Sequence, residues 1–173
     1  MEAIFNFVKN QGFNWIGLAG ASFGGGITAL YVGKYPEQIQ SLFLANPVLN
    51  YKKEFLNPTT PWAKEQFKNV FERIDKDGFI AVGSRKFKIG RKVFEEMEKF
   101  YPCDSLKNYQ GKLMIVHGDK DSKVAYENVV ECFGALPNQQ KMIKILKDSD
   151  HGFHEEPYET QVVKMIVDFF VSS

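Results

Sequence analysis

Short apolar runs alternate along the chain with amphipathic stretches, which is typical of a parallel sheet flanked by helices. Runs without polar alternation, as expected of strands buried on both faces, lie at 15–19, 41–45 and 113–116. A further run at 142–146 is interrupted by Lys144, which suits an edge strand. Helical spacing of apolar residues predicts helices over 2–11, 24–35, 126–133 and 158–170. The pattern therefore predicts one α/β domain built on a mostly parallel sheet.

Residues 50–109 do not continue this rhythm. Apolar residues at helical spacing follow Pro61, near-alternation over 75–90 indicates a short hairpin, and another amphipathic helix is predicted over 93–101. A stretch of this length between two buried strands resembles an insertion mounted over the sheet. We therefore expect an α/β core formed by residues 1–49 and 110–173, and a lid formed by residues 50–109.

The predicted lid is rich in aromatic side chains. These residues either line a substrate pocket or pack a lid helix onto the body, and helical stripes more often do the second. They are Trp62, Phe67, Phe71, Phe94, Phe100 and Tyr101.

Composition narrows the class of protein. A chain of 173 residues with 44% hydrophobic and 14% aromatic content fills one packed domain and is not disordered. A formal net charge of +1 offers no basic field for nucleic acid. No apolar run approaches the ~20 residues that a membrane span requires. No basic segment followed by an apolar one opens the sequence, so a secretion signal is not predicted.

The two cysteines, Cys103 and Cys132, lack the spacing of metal ligands. Separate reduced thiols are the favoured interpretation over a disulfide, and with them a cytoplasmic location. No metal or organic cofactor is expected.

The segment Gly20–Gly24 (GASFG) matches the pattern G-x-S-x-G, and Gly25 and Gly26 follow it. The pattern alone is weak evidence, but here an apolar strand precedes it and a helix follows, as a nucleophile elbow requires. The sharp turn predicts a strained backbone at Ser22 and explains the glycines, since a Cβ at those positions would collide with neighbouring backbone. The backbone N–H of Phe23, at the helix start, is the candidate oxyanion donor. The alternative is a glycine-rich connection that binds phosphate, but this loop lacks the lysine or G-x-G-x-x-G such a site uses.

A nucleophilic serine needs a histidine to accept its proton and a carboxylate to orient that histidine. His151 follows the last predicted strand and precedes the final helix. Asp121 lies in the loop after the 113–116 strand, at the same sheet edge as Ser22. The candidate triad is therefore Ser22, Asp121 and His151, in the chain order Ser, Asp, His.

Other residues compete for these roles. His154 is the second choice of base, although a residue so near the helix start is more often a surface or capping group. Asp119 competes with Asp121 and has an ordinary role as a turn-forming residue. Asp150 is the third choice of acid, because neighbouring side chains in a loop usually diverge. His117 ends the 113–116 strand.

The segments that carry these residues, 17–25, 117–124 and 150–153, resemble the α/β-hydrolase superfamily. The resemblance extends over nearly the whole chain. The segments 88–94 and 109–113 are similar to small-lid bacterial esterases, including feruloyl (cinnamoyl) esterases and monoacylglycerol-lipase-like relatives. The resemblance implies hydrolysis of a small-molecule ester through an acyl-enzyme, without a cofactor. Acylglycerol lipase, thioesterase and peptidase activities use the same machinery.

One departure from the family pattern bears on activity. Members have four more strands ahead of the elbow, and a His-Gly type motif after the third supplies the second oxyanion donor, which is absent here. The resemblance also implies that the strand at 15–19 is central, yet in this chain one of its edges has no partner. Three interpretations follow: a C-terminal fragment of a longer enzyme, which we favour, a truncated gene product, or a minimal hydrolase that pairs this edge in a homodimer. A non-catalytic module of the same fold is the rival from another functional class.

Overall fold

The computed structural model describes residues 1–83 and 85–172. The helices are α1 Glu2–Asn10, α2 Ser22–Lys34, α3 Pro61–Gln66, α4 Val70–Asp77, α5 Arg91–Met97, α6 Pro102–Leu106, α7 Tyr126–Ala135 and α8 Tyr158–Val171. The strands are β1 Gly17–Ala21, β2 Ser41–Ala45, β3 Ile80–Val82, β4 Phe87–Ile89, β5 Lys112–Gly118 and β6 Lys141–Leu146. A 3₁₀ turn at Pro36–Gln38 and a π-helical turn at Lys52–Leu56 complete the described elements.

The main sheet is parallel, with the strand order β1-β2-β5-β6. Gly17 of β1 pairs with Ser41 of β2, which in turn pairs with Lys112 of β5. This parallel register brings the carboxyl ends of β1, β5 and β6 to one edge of the sheet, where the loops that carry the candidate triad begin. The predicted α/β class and the edge position of 141–146 are both confirmed.

The residues that precede the elbow depart from prediction. The first strand covers Gly17–Ala21 rather than 15–19, and Trp15 lies outside it, exposed. The strand is only partly buried, whereas an apolar run of this kind predicts burial on both faces. The reason is its place at the edge of the sheet, where no described strand pairs on its outer side.

The predicted lid has the expected hairpin, formed by the antiparallel strands β3 and β4. The single helix suggested by the spacing of Phe67, Val70 and Ile74 is instead divided into α3 and α4, because Asn69 adopts a left-handed conformation with φ 47°. Neither the π-helical turn nor α6 was predicted.

Buried apolar side chains form separate clusters. One packs the inner faces of α2 and α7 against the sheet, and it includes Leu106 and Tyr109 of the segment after α5. A second packs the lid helices around Phe67, Ile74 and Phe94. A third packs α8 on the other face of the sheet. Most buried apolar residues between 51 and 97 therefore share one cluster, which also includes Val48 and Val124 from outside the predicted lid.

The prediction of reduced thiols is wrong for this structure. Cys103 and Cys132 form a disulfide that joins α6 to α7. The two cysteines are 29 residues apart, so the sequence pattern does not indicate that they meet. They come together because the chain returns to the core at α6, after the predicted lid. The argument for a reducing cytoplasmic setting loses this support. Within the described ranges, no helix is long and apolar enough to cross a bilayer.

Candidate active site

The turn from β1 into α2 positions Ser22. Ala21 is extended, with φ −123° and ψ 147°, and Ser22 follows at φ 51°, in the left-handed region that non-glycine residues rarely occupy. The chain reverses sharply there, and the Ser22 side chain emerges at the carboxyl edge of the sheet. The predicted backbone strain at this residue is present.

The glycines around Ser22 do not all have the role predicted for them. A Cβ on Gly20 would lie 2.4 Å from Thr28 Oγ1 and 3.0 Å from the Gly24 carbonyl oxygen. A Cβ on Gly26 would lie 2.5 Å from the Val48 carbonyl oxygen. A Cβ on Gly24 would meet nothing within 4 Å, so the prediction of backbone collision is wrong for this residue. The close approaches that require glycine are between β1 and α2 at Gly20, and between α2 and the segment after β2 at Gly26.

Ser22, His151 and Asp121 lie in hydrogen-bonding contact. Ser22 Oγ is 3.1 Å from His151 Nε2, and His151 Nδ1 is 2.8 Å from Asp121 Oδ2. The Asp121 side chain is fully buried, whereas the His151 side chain is 21% exposed. His151 therefore reaches solvent, whereas the Asp121 carboxylate is shielded from it.

The loop after β5 holds Asp121 rigidly. Its Oδ1 accepts hydrogen bonds from the backbone N–H groups of Lys123 and Val124, each at 2.8 Å. Burial acts to raise the pKa of Asp121, but hydrogen bonds from His117 and His151 and from the Val124 backbone outweigh it. The pKa of this carboxyl is held well below its ordinary range, so it is ionised at neutral pH.

The competing residues have other contacts. His154 is exposed. Asp119 accepts a hydrogen bond from the backbone N–H of Asp148 at 2.6 Å. Asp150 accepts hydrogen bonds from the backbone N–H groups of Ser122 and His151, each at 2.7 Å. Both aspartates link the loop after β5 to the loop after β6 through backbone N–H groups, and among the described residues neither forms a hydrogen bond with the His151 ring.

The Phe23 N–H lies in the first turn of α2, where backbone donors have no acceptor within the helix. This is the position predicted for an oxyanion donor. The adjoining helix N-terminus carries a partial positive charge that favours a developing oxyanion.

A cavity of about 510 Å³ opens beside Ser22 and His151. Its walls are mostly apolar and come largely from the lid. The lining residues are Ser22, Phe23, Val48, Glu54, Phe55, Trp62, Phe67, Val82, Gly83, Phe87, Lys88, Ile89, Val93, Met97, Lys123, Val124 and His151.

Four of the six aromatic residues named in the predicted lid have one of the two expected roles. Trp62 and Phe67 line the cavity, with their rings in edge contact at 6.0 Å. Phe94 is fully buried and packs against Phe71 within the lid. Phe100 and Tyr101 are exposed, and they belong neither to the cavity lining nor to the buried cluster around Phe67 and Phe94. Phe55, which sequence reasoning did not single out, adds a further ring to the cavity.

A buried carboxyl next to the cavity was also missed. Glu54 is 2% exposed, and its Oε1 accepts a hydrogen bond from Asn128 Nδ2 at 2.6 Å. Burial raises the pKa of Glu54, although the hydrogen bond from Asn128 partly opposes the shift. Glu54 lies in the π-helical turn, and no motif in the sequence marks that segment.

Est1E from Butyrivibrio proteoclasticus matches with a TM-score of 0.76 and 18% identity, covering 98% of this chain and 66% of its own. The same protein with ferulic acid bound matches with a TM-score of 0.71, 19% identity and the same two coverages. A monoacylglycerol lipase of Paleococcus ferrophilus matches with a TM-score of 0.70 and 19% identity, covering 99% of this chain and 73% of its own. This chain thus spans 66% of the length of Est1E.

These similarities establish the α/β-hydrolase fold. A search of curated protein sequences finds no significant match. A sequence model of one protein family assigns the family as well as the fold, because it matches nearly the whole chain, over residues 6–173. On that match, the chain belongs to the prolyl oligopeptidase family.

Proposed function

We propose that this chain is a serine hydrolase that cleaves carboxylic esters through an acyl-enzyme. The observation that carries the proposal is the continuous hydrogen-bonded line from Ser22 Oγ through the His151 ring to Asp121 Oδ2, at the mouth of an apolar cavity. A bare serine is a poor nucleophile, and this arrangement supplies both the base and the carboxylate that orients it.

In the first half-reaction, Ser22 Oγ attacks the ester carbonyl while His151 Nε2 accepts the serine proton. Asp121 keeps the proton of the neutral ring on Nδ1 and stabilises the imidazolium that forms. The Phe23 N–H donates to the carbonyl oxygen as negative charge develops there. His151 then returns the proton to the leaving alcohol, and the acyl group remains on Ser22. Water, activated by His151, releases the acid in the second half-reaction.

The apolar cavity supports the proposal that the substrate is an ester with an aromatic or short aliphatic acyl group, such as a feruloyl, cinnamoyl or short-chain acyl group. Phe23, Phe55 and Phe67 form a connected set of rings next to the nucleophile, with centroids 5.8 Å apart for Phe23 and Phe55 and 5.1 Å apart for Phe55 and Phe67. Such a set offers stacking and edge contacts to a planar acyl group. The bound ferulic acid in the Est1E structure supports the same choice.

Hydrolysis of p-nitrophenyl acetate by the wild type and by Ser22→Ala tests the proposal. We expect kcat/KM of the variant to fall by a factor of at least about 10³, with Ser172→Ala, at the end of α8, as a matched control that stays active. Equal rates for the wild type and Ser22→Ala would favour the rival interpretation, a non-catalytic or weakly active module of this fold. Short acyl esters compared with ethyl ferulate then identify the preferred acyl group.

Family membership favours a second candidate, hydrolysis of a peptide bond by the same residues. Lipase and thioesterase chemistry also use them, and the structural similarity to a monoacylglycerol lipase is compatible with the first. Cleavage of a prolyl p-nitroanilide, measured beside p-nitrophenyl butyrate, separates peptidase from esterase activity. A prolyl amide cleaved with the higher kcat/KM would reassign the chain to peptidase chemistry.

The outer edge of β1 supports a proposal about assembly. The strand pairs only with β2 among the described residues, and Trp15 beside it is 43% exposed. An edge of this kind accepts another strand readily, so we propose that, where no other segment of the protein covers it, two copies pair there as a homodimer. Light scattering coupled to size exclusion tests it. Ala19→Lys, which puts a charge on an exposed position of the strand, should shift the dimer to monomer, and a monomeric wild type would contradict the proposal.

A further inference from the structure

We propose that His117 is a positioning residue for the candidate triad, which donates a second hydrogen bond to the oxygen of Asp121 that binds His151. His117 Nε2 lies 3.2 Å from Asp121 Oδ2, the atom that His151 Nδ1 contacts at 2.8 Å. The inference rests on the proposed serine chemistry, and it assigns a role to a histidine that the triad itself does not use.

The surroundings of His117 determine where its proton lies. Besides Asp121 Oδ2, its Nε2 faces the carbonyl oxygen of Val124 at 3.1 Å. Both neighbours are acceptors, so Nε2 must carry a hydrogen. This N–H is shared between the carboxylate and the Val124 carbonyl, and both lie in the loop that carries the acid.

Burial makes this arrangement costly. The His117 side chain is fully buried, and its Nδ1 has no hydrogen-bond partner among the described residues. A buried nitrogen without a partner carries a desolvation cost that an apolar side chain would avoid. A favourable contribution from His117 must therefore come from Nε2. Its N–H restrains the Asp121 carboxylate and withdraws negative charge from Oδ2.

That withdrawal changes the chemistry of the triad. With two donors on one oxygen, Asp121 stabilises the imidazolium of His151 less strongly than it would alone. Removal of the His117 donor should therefore change the pH dependence of ester hydrolysis as well as its rate. The other titratable and charged groups near these atoms are Glu54 from the π-helical turn, Asp150 from the loop after β6, and Asp119, Lys120 and Lys123 on the acid loop itself.

A matched pair of amide variants isolates the donor. In His117→Gln the amide nitrogen reaches about as far as Nε2, whereas in His117→Asn it stops near the position of Nδ1. Each variant keeps a polar amide in the site, and only Gln replaces the hydrogen bond to Asp121. Thermal unfolding of both variants is measured first, and His117→Leu replaces His117→Asn if the latter does not fold.

The pH dependence of kcat/KM with p-nitrophenyl butyrate, from about pH 5 to pH 9, is the first readout. We expect His117→Asn to raise the midpoint of the acid limb by about half a pH unit and to lower the plateau about tenfold, with KM within about twofold of the wild type. His117→Gln should restore most of both. An unchanged midpoint in His117→Asn, or an equal loss in the two variants, would show that His117 only pins the loop.

A second readout needs no turnover. The proton between His151 Nδ1 and Asp121 Oδ2 should give a low-field resonance in the proton NMR spectrum. Loss of the competing donor in His117→Asn strengthens this hydrogen bond and moves the resonance further downfield, whereas His117→Gln leaves it nearly in place. No movement in His117→Asn would overturn the inference. Loss of ester hydrolysis in all proteins, the wild type included, would instead count against the proposed function.

Discussion

At the scale of single residues, the site is organised around one carboxylate. Asp121 accepts hydrogen bonds from two backbone N–H groups on Oδ1 and faces two imidazole rings on Oδ2. Its position in the chain and its place after a buried strand are readable from sequence. Its second histidine and the buried Glu54 nearby are not, because both depend on which loops meet at the sheet edge.

Replacement of Asp121 by asparagine should lower kcat by a factor of about 10³ to 10⁴ while the fold is retained. An amide N–H facing His151 favours the tautomer that carries its proton on Nε2, which cannot accept the proton of Ser22. Asp150→Asn is the matched control, since Asp150 bonds the His151 backbone rather than the ring. A loss in Asp150→Asn equal to that in Asp121→Asn would reassign the acid. Steady-state kinetics with circular dichroism as a folding check measures both.

The two buried carboxyls should give opposite dependences of stability on pH. The pKa of Asp121 is lowered in the folded state, so its contribution is present above the unfolded value of about 3.9 and is lost as the pH falls below it. The pKa of Glu54 is raised, so its contribution is present below about 4.3 and is lost as the pH rises through the folded value.

Urea unfolding of the wild type, Asp121→Asn and Glu54→Gln at several pH values tests this. Relative to the wild type, Asp121→Asn should become more stable as the pH falls from about 4. Glu54→Gln should become more stable as the pH rises above about 5, because the amide keeps a partner for Asn128 without a buried charge. Curves that stay parallel across pH would show that neither carboxyl is shifted.

At the scale of elements, the hydrophobic pattern predicts the helices and strands that depend on residues close together in the chain. The strand predicted at 41–45, where Ser41 is followed by four apolar residues, is found at those residues. The predicted hairpin and final helix are likewise present. One helix was predicted where the structure has α3 and α4, because the apolar spacing continues past Asn69. That spacing does not reveal the left-handed conformation of Asn69.

The close approach of α2 to the segment after β2 predicts a stability difference between two glycines. In Gly26→Ala the new Cβ would overlap the Val48 carbonyl oxygen and Tyr51 Oη, 2.5 and 2.7 Å away. We expect a loss of about 1–3 kcal/mol in the free energy of unfolding. Gly24→Ala, on the same helix with open space around its Cβ, should be neutral or gain up to about 1 kcal/mol. Denaturant titration measures both, and equal values would contradict the packing.

The disulfide between α6 and α7 predicts a redox-dependent stability. Closing a loop over 29 residues should contribute about 3.6 kcal/mol to the free energy of unfolding. Urea midpoints with and without dithiothreitol should differ for the wild type and coincide for the double variant Cys103→Ser, Cys132→Ser. Coinciding midpoints for the wild type, with free thiols detected by mass spectrometry, would show that the bond is absent.

At the scale of the whole molecule, sequence reasoning predicted the fold class and the chain order of the candidate triad. Both depend on the strand–helix rhythm and on short motifs at strand ends. It did not predict the disulfide or the partial burial of β1, because each is set by contacts between distant segments. Cys103 meets Cys132 only when α6 returns to the core, and β1 is exposed because of its place in the strand order.

The cavity next to Ser22 has a floor and walls of different origin. Ser22, Phe23 and His151 come from the loops of the sheet, whereas most of the walls come from residues 54–97, which pack around their own apolar cluster. Selectivity and reactivity are thus separable for a protein engineer. Under the proposed function, a library restricted to wall positions such as Trp62, Val82 and Phe87 can be screened for new acyl groups while every variant keeps Ser22, His151 and Asp121.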